Sequence, residues 1–60
     1  MTDKKQQLYQ AAKALFSEKG FKETNVSAIT KAANMAVGTF YLNYSSKEQL
    51  FLEIFKDENT

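Results

Sequence analysis

Apolar residues recur at helical spacing along nearly the whole chain, and this feature constrains the fold more than any other. Leu8, Ala11, Ala12, Leu15 and Phe16 follow the i, i+3, i+4, i+7 pattern of an amphipathic helix. The chain has no proline and only two glycines, so few positions interrupt such a pattern. No segment alternates apolar and polar residues as a β-strand would. We therefore predict an all-α fold, with three or four helices around one core.

Turn and capping residues set the predicted helix boundaries. Gly20 suits the left-handed backbone conformation that follows a helix, and Asn34 tolerates a positive φ better than most residues. Ser45 or Ser46 would open the last helix through a capping box. The last four residues, DENT, are expected to be frayed. The predicted helices cover about residues 3–19, 26–33, 37–43 and 46–56.

The composition argues against catalysis and against metal binding. The chain has no histidine and no cysteine, and a chain of 60 residues buries too little surface to shift the pKa of a carboxylate strongly. Carboxylates are the remaining candidate metal ligands, and no acidic loop of the calcium-binding kind is present. We predict that the protein is not an enzyme and uses no cofactor and no metal.

The N-terminal sequence MTDKKQQLYQ is polar, and no apolar run approaches the roughly 20 residues that cross a bilayer. The lysines also do not line one polar helix face opposite an aromatic one, as a membrane-surface helix requires. The sequence therefore predicts a cytoplasmic protein without membrane contact.

The charge distribution leaves one stretch of the chain free of acidic side chains. Eight lysines against seven acids give a net charge of +1, which by itself argues weakly against a strongly electrostatic nucleic-acid binder. Between Glu23 and Glu48, however, lie 24 residues that include Lys31 and Lys47 and no acid. That stretch offers no electrostatic repulsion to an anionic partner.

Two short predicted helices joined by a turn of three residues lie within this stretch. This arrangement matches a helix-turn-helix, whose second helix presents its N-terminal residues to the DNA major groove. A compact corner of a helical bundle has the same spacing. A small helical protein-interaction module that does not bind DNA therefore stays open as the alternative.

The third predicted helix has an unusual outer face. Helical periodicity places Val37, Phe40, Tyr41 and Tyr44 on one side, as a core face. The opposite side is short and uncharged, which suits close approach to base edges better than exposure to water. It comprises Gly38, Thr39, Leu42 and Asn43.

Lys47 occupies the first turn of the fourth predicted helix, where the helix dipole disfavours a cation. One interpretation is a solvated lysine that costs a few tenths of a kcal/mol, on the order of 0.3. The other is a phosphate site, in which the helix amides and the ammonium bind one anion together.

Two stretches resemble the N-terminal DNA-binding domain of TetR-type transcriptional regulators: AAKALFSEKGFKETNVSAI and GTFYLNYSSKEQL. The resemblance covers nearly all of residues 6–55 and includes a Gly-aromatic pair and a later Ser-Lys pair at fixed spacing. It implies a homeodomain-like three-helix bundle with a helix-turn-helix and the first turns of a fourth helix. Residues 1–60 would be one DNA-binding domain, and the C-terminal effector and dimerisation domain would be absent.

The resemblance implies sequence-specific binding to a double-stranded DNA operator by a regulator that is most often a repressor. The recognition helix, about residues 37–43, would lie in the major groove. A homodimer is expected only for a full-length parent, and a small-molecule effector would bind the absent C-terminal domain. The implied DNA-binding residues are Asn25, Ser27, Ala36, Val37, Gly38, Thr39, Tyr41, Asn43 and Lys47.

Within this set, Tyr41, Asn43 and Lys47 fall where the family holds phosphates. The resemblance also turns Val37 into the groove, which contradicts the face assigned to it by periodicity. We follow the resemblance, because a helix of two turns does not determine its own buried face.

The chain departs from the family pattern at the turn. The family usually has Ala-x-x-Ala-Gly-Val-Ser where this chain has TKAANMA, so Thr30 replaces an alanine and Asn34 replaces the turn glycine. Ala36 replaces the serine, which removes a hydroxyl that would cap the third helix and contact a phosphate.

Overall fold

The computed structural model describes residues 3–58, and within that range the chain forms four helices and no strand. The all-α prediction is confirmed. Each helix begins and ends within two residues of its predicted bounds. The prediction of fraying is wrong for Asp57 and Glu58, which are helical, and Asn59 and Thr60 lie outside the described residues. No helix in the described range is long and apolar enough to cross a membrane. The helices are α1 (Lys4–Lys19), α2 (Val26–Ala32), α3 (Val37–Asn43) and α4 (Lys47–Glu58).

Gly20 ends α1 in a conformation that other residues rarely adopt. Its N–H donates to the carbonyl oxygen of Phe16 at 3.0 Å, and its backbone has φ 91° and ψ 160°. The predicted left-handed helical conformation is therefore wrong in ψ, and the observed region is available almost exclusively to glycine. Phe21 packs back on the helix, with its ring 5.5 Å from that of Phe16.

The turn between α2 and α3 depends on Asn34, whose φ is 59°. The N–H of Asn34 donates to the carbonyl of Lys31 at 3.1 Å, and the N–H of Met35 donates to that of Thr30 at 2.8 Å. These bonds close the end of α2 and reverse the chain. The prediction that asparagine replaces a turn glycine by accepting a positive φ is confirmed.

The core draws on every helix. Its two buried threonines, Thr24 and Thr30, both direct their hydroxyls to backbone carbonyls. Thr30 donates within its own helix, to Val26 and Ser27, each at 3.1 Å, so the threonine that replaces alanine is accommodated without a partner from another element. The buried apolar residues are Leu8, Ala12, Ile29, Phe40, Tyr44, Leu50 and Ile54.

The apolar residues of α4 are only partly buried. Leu50 and Ile54 are in the core, and the ring of Phe51 lies 4.8 Å from that of Phe21 and 5.5 Å from that of Phe16. Phe55 is 59% exposed, because it lies at the rim of a shallow groove between α1 and α4.

Candidate nucleic-acid interface

A shallow cleft lies where the first turns of α2 and α4 meet one side of α3, and we call it the α2–α4 cleft. Five of the nine predicted DNA-binding residues line it: Asn25, Ser27, Val37, Tyr41 and Lys47. These residues are up to 22 positions apart in the sequence, and the fold brings them to one surface. The cleft is also lined by Val26, Ser45, Ser46 and Glu48.

The surface continues from this cleft toward the helix-turn-helix turn. Ser27 and Val37 also line a second groove between α2 and α3, together with Ala36 and Lys31. Ala36 has the extended backbone of a helix N-cap, with φ −81° and ψ 154°, but no side-chain hydrogen bond caps α3. The expected loss of a capping hydroxyl at this position is confirmed.

The face that α3 presents to the core differs from the periodicity prediction. Phe40 and Tyr44 are buried, as predicted, but Val37 is 41% exposed and Tyr41 is 55% exposed. The assignment of Val37 and Tyr41 to the core face is therefore wrong. So short a helix reaches the core with one i, i+4 pair, here Phe40 and Tyr44. The neighbouring pair, Val37 and Tyr41, then lies on the side of the α2–α4 cleft.

Tyr41 keeps part of its ring packed while it lines the cleft. Its ring stands edge-on to that of Phe40, with 5.2 Å between the ring centroids. Because Phe40 is fully buried, this contact anchors an otherwise exposed aromatic side chain.

Gly38 lies on the exposed side of the first turn of α3. A Cβ atom added at Gly38 would meet no neighbouring atom within 4 Å. Packing within the described chain therefore does not require glycine here, although glycine in a helix is less favourable than alanine.

The second turn of α3 carries Asn43, which is half-buried. Its Nδ2 donates to the carbonyl of Thr39, one turn earlier, at 2.9 Å. Its side chain thus lies back along α3. Leu42, the residue before Asn43, is 86% exposed, in agreement with its predicted place on the outer face.

Two serines and a glutamine fix the start of α4. The hydroxyl of Ser46 accepts from the N–H of Gln49 at 3.1 Å, and the side-chain oxygen of Gln49 accepts from the N–H of Ser45 at 3.0 Å. The predicted capping box is therefore shifted by one residue in its second bond. Sequence reasoning treated these serines only as caps, although both line the cleft; their position beside Lys47 was the available signal.

Lys47 makes contacts that the sequence did not indicate. Its Nζ donates to the carbonyl of Phe21 at 2.9 Å and to that of Thr24 at 2.6 Å, and it lies 4.4 Å from the centroid of the Phe21 ring. The side chain is half-buried, so the interpretation as a solvated lysine is wrong. Two of the three ammonium N–H groups are directed to the α1–α2 loop, and the phosphate contact stays a prediction.

Comparison with known proteins identifies one family for most of the chain. Residues 8–54 match the sequence profile of a family described as "Bacterial regulatory proteins, tetR family". The matched range includes all of α2 and α3 and every residue predicted to bind DNA. No solved structure matches the chain.

Individual relatives are similar over most of this chain. It is 40% identical over 53 residues to the uncharacterized HTH-type transcriptional regulator YhgD of Bacillus subtilis, an alignment that covers 88% of this chain and 28% of YhgD. It is 33% identical over 54 residues to the HTH-type transcriptional repressor KstR2 of Mycolicibacterium smegmatis, covering 90% of this chain and 26% of KstR2. It is 34% identical over 56 residues to the HTH-type transcriptional regulator QacR of Staphylococcus aureus, covering 93% of this chain and 30% of QacR.

The chain thus spans less than a third of the length of each of these relatives. The family profile nevertheless covers most of the chain itself, from the first core residue of α1 to the last core residue of α4. The chain belongs to the TetR family of bacterial regulatory proteins.

Proposed function

We propose that the chain is the DNA-binding domain of a TetR-type transcriptional regulator and binds a double-stranded operator sequence-specifically. The observation that carries this proposal is the α2–α4 cleft, which gathers residues of α2, α3 and α4 on one side of the helix-turn-helix. Family membership supports it, and the name of KstR2 describes that relative as a repressor. We propose the same sign of regulation here.

In this proposal α3 enters the major groove and its first turn reads base edges. Ala36, Val37, Gly38 and Thr39 are the residues that approach the bases, together with Ser27 at the start of α2. The exposure of Val37 and the absence of a packing reason for Gly38 support this assignment. The uncharged, short side chains let the helix backbone approach the groove closely.

Phosphate contacts position the domain without reading sequence. We assign them to the amides at the helix N-termini, to the hydroxyl of Tyr41, and to Asn25 and Asn43 at the two sides of α3. Lys47 lies at the same edge and offers the ammonium N–H that is not directed to the α1–α2 loop. Asn43 would exchange its bond to its own helix for one to a phosphate.

A full-length parent would bind as a homodimer, with two copies of α3 in half-sites about 34–36 Å apart. Dimerisation and effector binding would belong to a C-terminal domain. A single copy of this domain makes few charged contacts, so we expect weak binding and a shallow dependence of affinity on salt, with a slope of about 0.9 per neutralised phosphate.

Selection from a random-sequence duplex library tests the proposal. The chain is incubated with the library at about 50 mM salt, a concentration at which phosphate contacts contribute strongly. We expect enrichment of one short motif, with each wrong base pair costing about 1–3 kcal/mol. Single-stranded DNA of the same length is the control. No enrichment, and equal retention of single-stranded DNA, would favour the helical protein-interaction module instead.

Gly38→Ala separates the requirements of the fold from those of the proposed interface. The folded chain has room for the added methyl, and alanine favours the helix, so the free energy of unfolding should rise by about 0.5 kcal/mol. Affinity for the selected duplex should fall on the order of tenfold, since the methyl keeps the helix backbone from the groove. Urea denaturation and duplex titration measure the two effects. Unchanged affinity would contradict the assignment of Gly38 to the interface.

A further inference from the structure

Lys47 connects parts of the chain that are far apart in sequence. It is the first residue of α4, and the carbonyl groups to which it donates belong to residues 26 and 23 positions earlier, Phe21 and Thr24. Thr24 immediately precedes Asn25, whose side chain caps α2 by accepting from the N–H of Ala28 at 2.8 Å. The ammonium of Lys47 therefore joins the start of α4 to the residue just before the start of α2.

Apart from the cap that Asn25 provides to α2, the other hydrogen bonds of the α1–α2 loop hold it to itself and to α1. The hydroxyl of Thr24 donates to the carbonyl of Gly20 at 2.9 Å and to that of Leu15 at 3.4 Å, and its N–H donates to that of Phe21 at 3.2 Å. Toward α4, the ring of Phe21 packs on that of Phe51. That ring contact orients one side chain, whereas Lys47 binds the loop backbone directly.

These contacts also account for a cation in an unfavourable position. A lysine in the first turn of a helix faces the positive end of the helix dipole. Here the ammonium is turned to two carbonyl oxygens and to the face of an aromatic ring, and each of these attracts a cation. The placement is therefore stabilised within the chain, before any phosphate approaches.

We propose that Lys47 is a positioning residue, a latch that fixes the spacing between the N-termini of α2 and α4 on the two sides of the α2–α4 cleft. This inference rests on the proposed DNA binding, because the spacing matters for two helix starts that meet one DNA backbone. With this contact in place, the α1–α2 loop is already ordered against α4 in the free protein. Without it, DNA binding would have to order the loop, and the free energy of that step would weaken the affinity.

Lys47→Met tests the latch, because methionine keeps an unbranched apolar side chain and removes the ammonium. Hydrogen exchange of backbone amides 21–28 in the DNA-free protein should become faster on the order of tenfold, while amides of the core helices keep their protection. Lys22→Met is the matched control. It removes an equal charge from an exposed lysine of the same loop and should leave this exchange unchanged.

Salt dependence separates the latch from a phosphate contact. A lost phosphate contact lowers the slope of log affinity against log salt by about 0.9, and this electrostatic contribution vanishes when the line is extrapolated to about 1 M salt. Loss of the contact between Lys47 and the loop lowers the affinity on the order of tenfold, and this deficit remains after extrapolation to about 1 M salt. A Lys47→Met deficit that disappears on extrapolation would overturn the proposal.

A measurement on the unsubstituted chain keeps the test decisive if Lys47→Met does not fold. In nitrogen-15 spectra of the lysine ammonium groups, the Lys47 protons should exchange with water more slowly than those of Lys22. Equal exchange would contradict the latch. If the unsubstituted chain binds no selected duplex, the proposed function fails, while the exchange data still report on the contact between Lys47 and the loop.

Discussion

Replacing Phe40 by alanine is expected to remove most of the stability of this domain. Phe40 is fully buried, and its ring lies 5.7 Å from that of Tyr44 and 5.2 Å from that of Tyr41. A buried Phe→Ala substitution costs about 3–5 kcal/mol, through lost burial and the cavity left behind. The total free energy of unfolding of a domain of 60 residues is about 3–9 kcal/mol. The helix-turn-helix would lose the side chain that ties α3 to the core.

Urea denaturation followed by circular dichroism measures this loss. Leu42→Ala is the matched control. Leu42 lies on the same helix, two positions from Phe40, and its apolar side chain is 86% exposed. Its effect should stay within about 0.5 kcal/mol, as for other exposed positions. A Phe40→Ala variant with a midpoint close to that of the unsubstituted chain would show that α3 is not held by the core described here.

Val37→Glu is expected to abolish duplex binding while the fold is retained. Val37 is 41% exposed and is the first residue of α3, where the helix dipole favours an acid, so stability should be unchanged or slightly higher. In the proposed complex, the carboxylate would enter a groove lined by phosphates. Like charges brought together in this way cost several kcal/mol, so we expect affinity for the selected duplex to fall by about 100-fold or more.

The control for the change in net charge is Leu52→Glu. Leu52 is 63% exposed on α4 and is not among the residues that line the α2–α4 cleft. This variant should bind the selected duplex within a few-fold of the unsubstituted chain, on the order of a single phosphate contact or less. Equal losses for the two variants would indicate a general charge effect and would remove α3 from the proposed interface. Fluorescence anisotropy of a labelled duplex measures both.

Local patterns were sufficient for the helices and for most of the core. Leu8 and Ala12 share one face of a long helix, and many turns of regular spacing make such a face unambiguous. Asn34 was identified by its backbone preference, which acts on one residue alone. The face of α3 could not be obtained this way, because so short a helix admits two overlapping apolar faces. Of the four residues assigned to the core face, only Phe40 and Tyr44 are buried.

The candidate site depends on distances that no local pattern contains. Asn25, Val37 and Lys47 meet at one cleft because α1 packs against each of the other three helices, and spacing along the chain does not show this. The resemblance to a family supplied their grouping. It did not indicate the two carbonyl partners of Lys47, which arise from the way the α1–α2 loop of this chain lies against α4.

Thr30 has a consequence for how the domain tolerates sequence change. Its buried hydroxyl is satisfied by carbonyls of the same helix, so no side chain elsewhere has to match it. Exchange between threonine and the alanine usual in the family therefore demands no new hydrogen-bond partner. The helix that leads into the turn therefore buries a hydroxyl that places no hydrogen-bonding requirement on the other three helices.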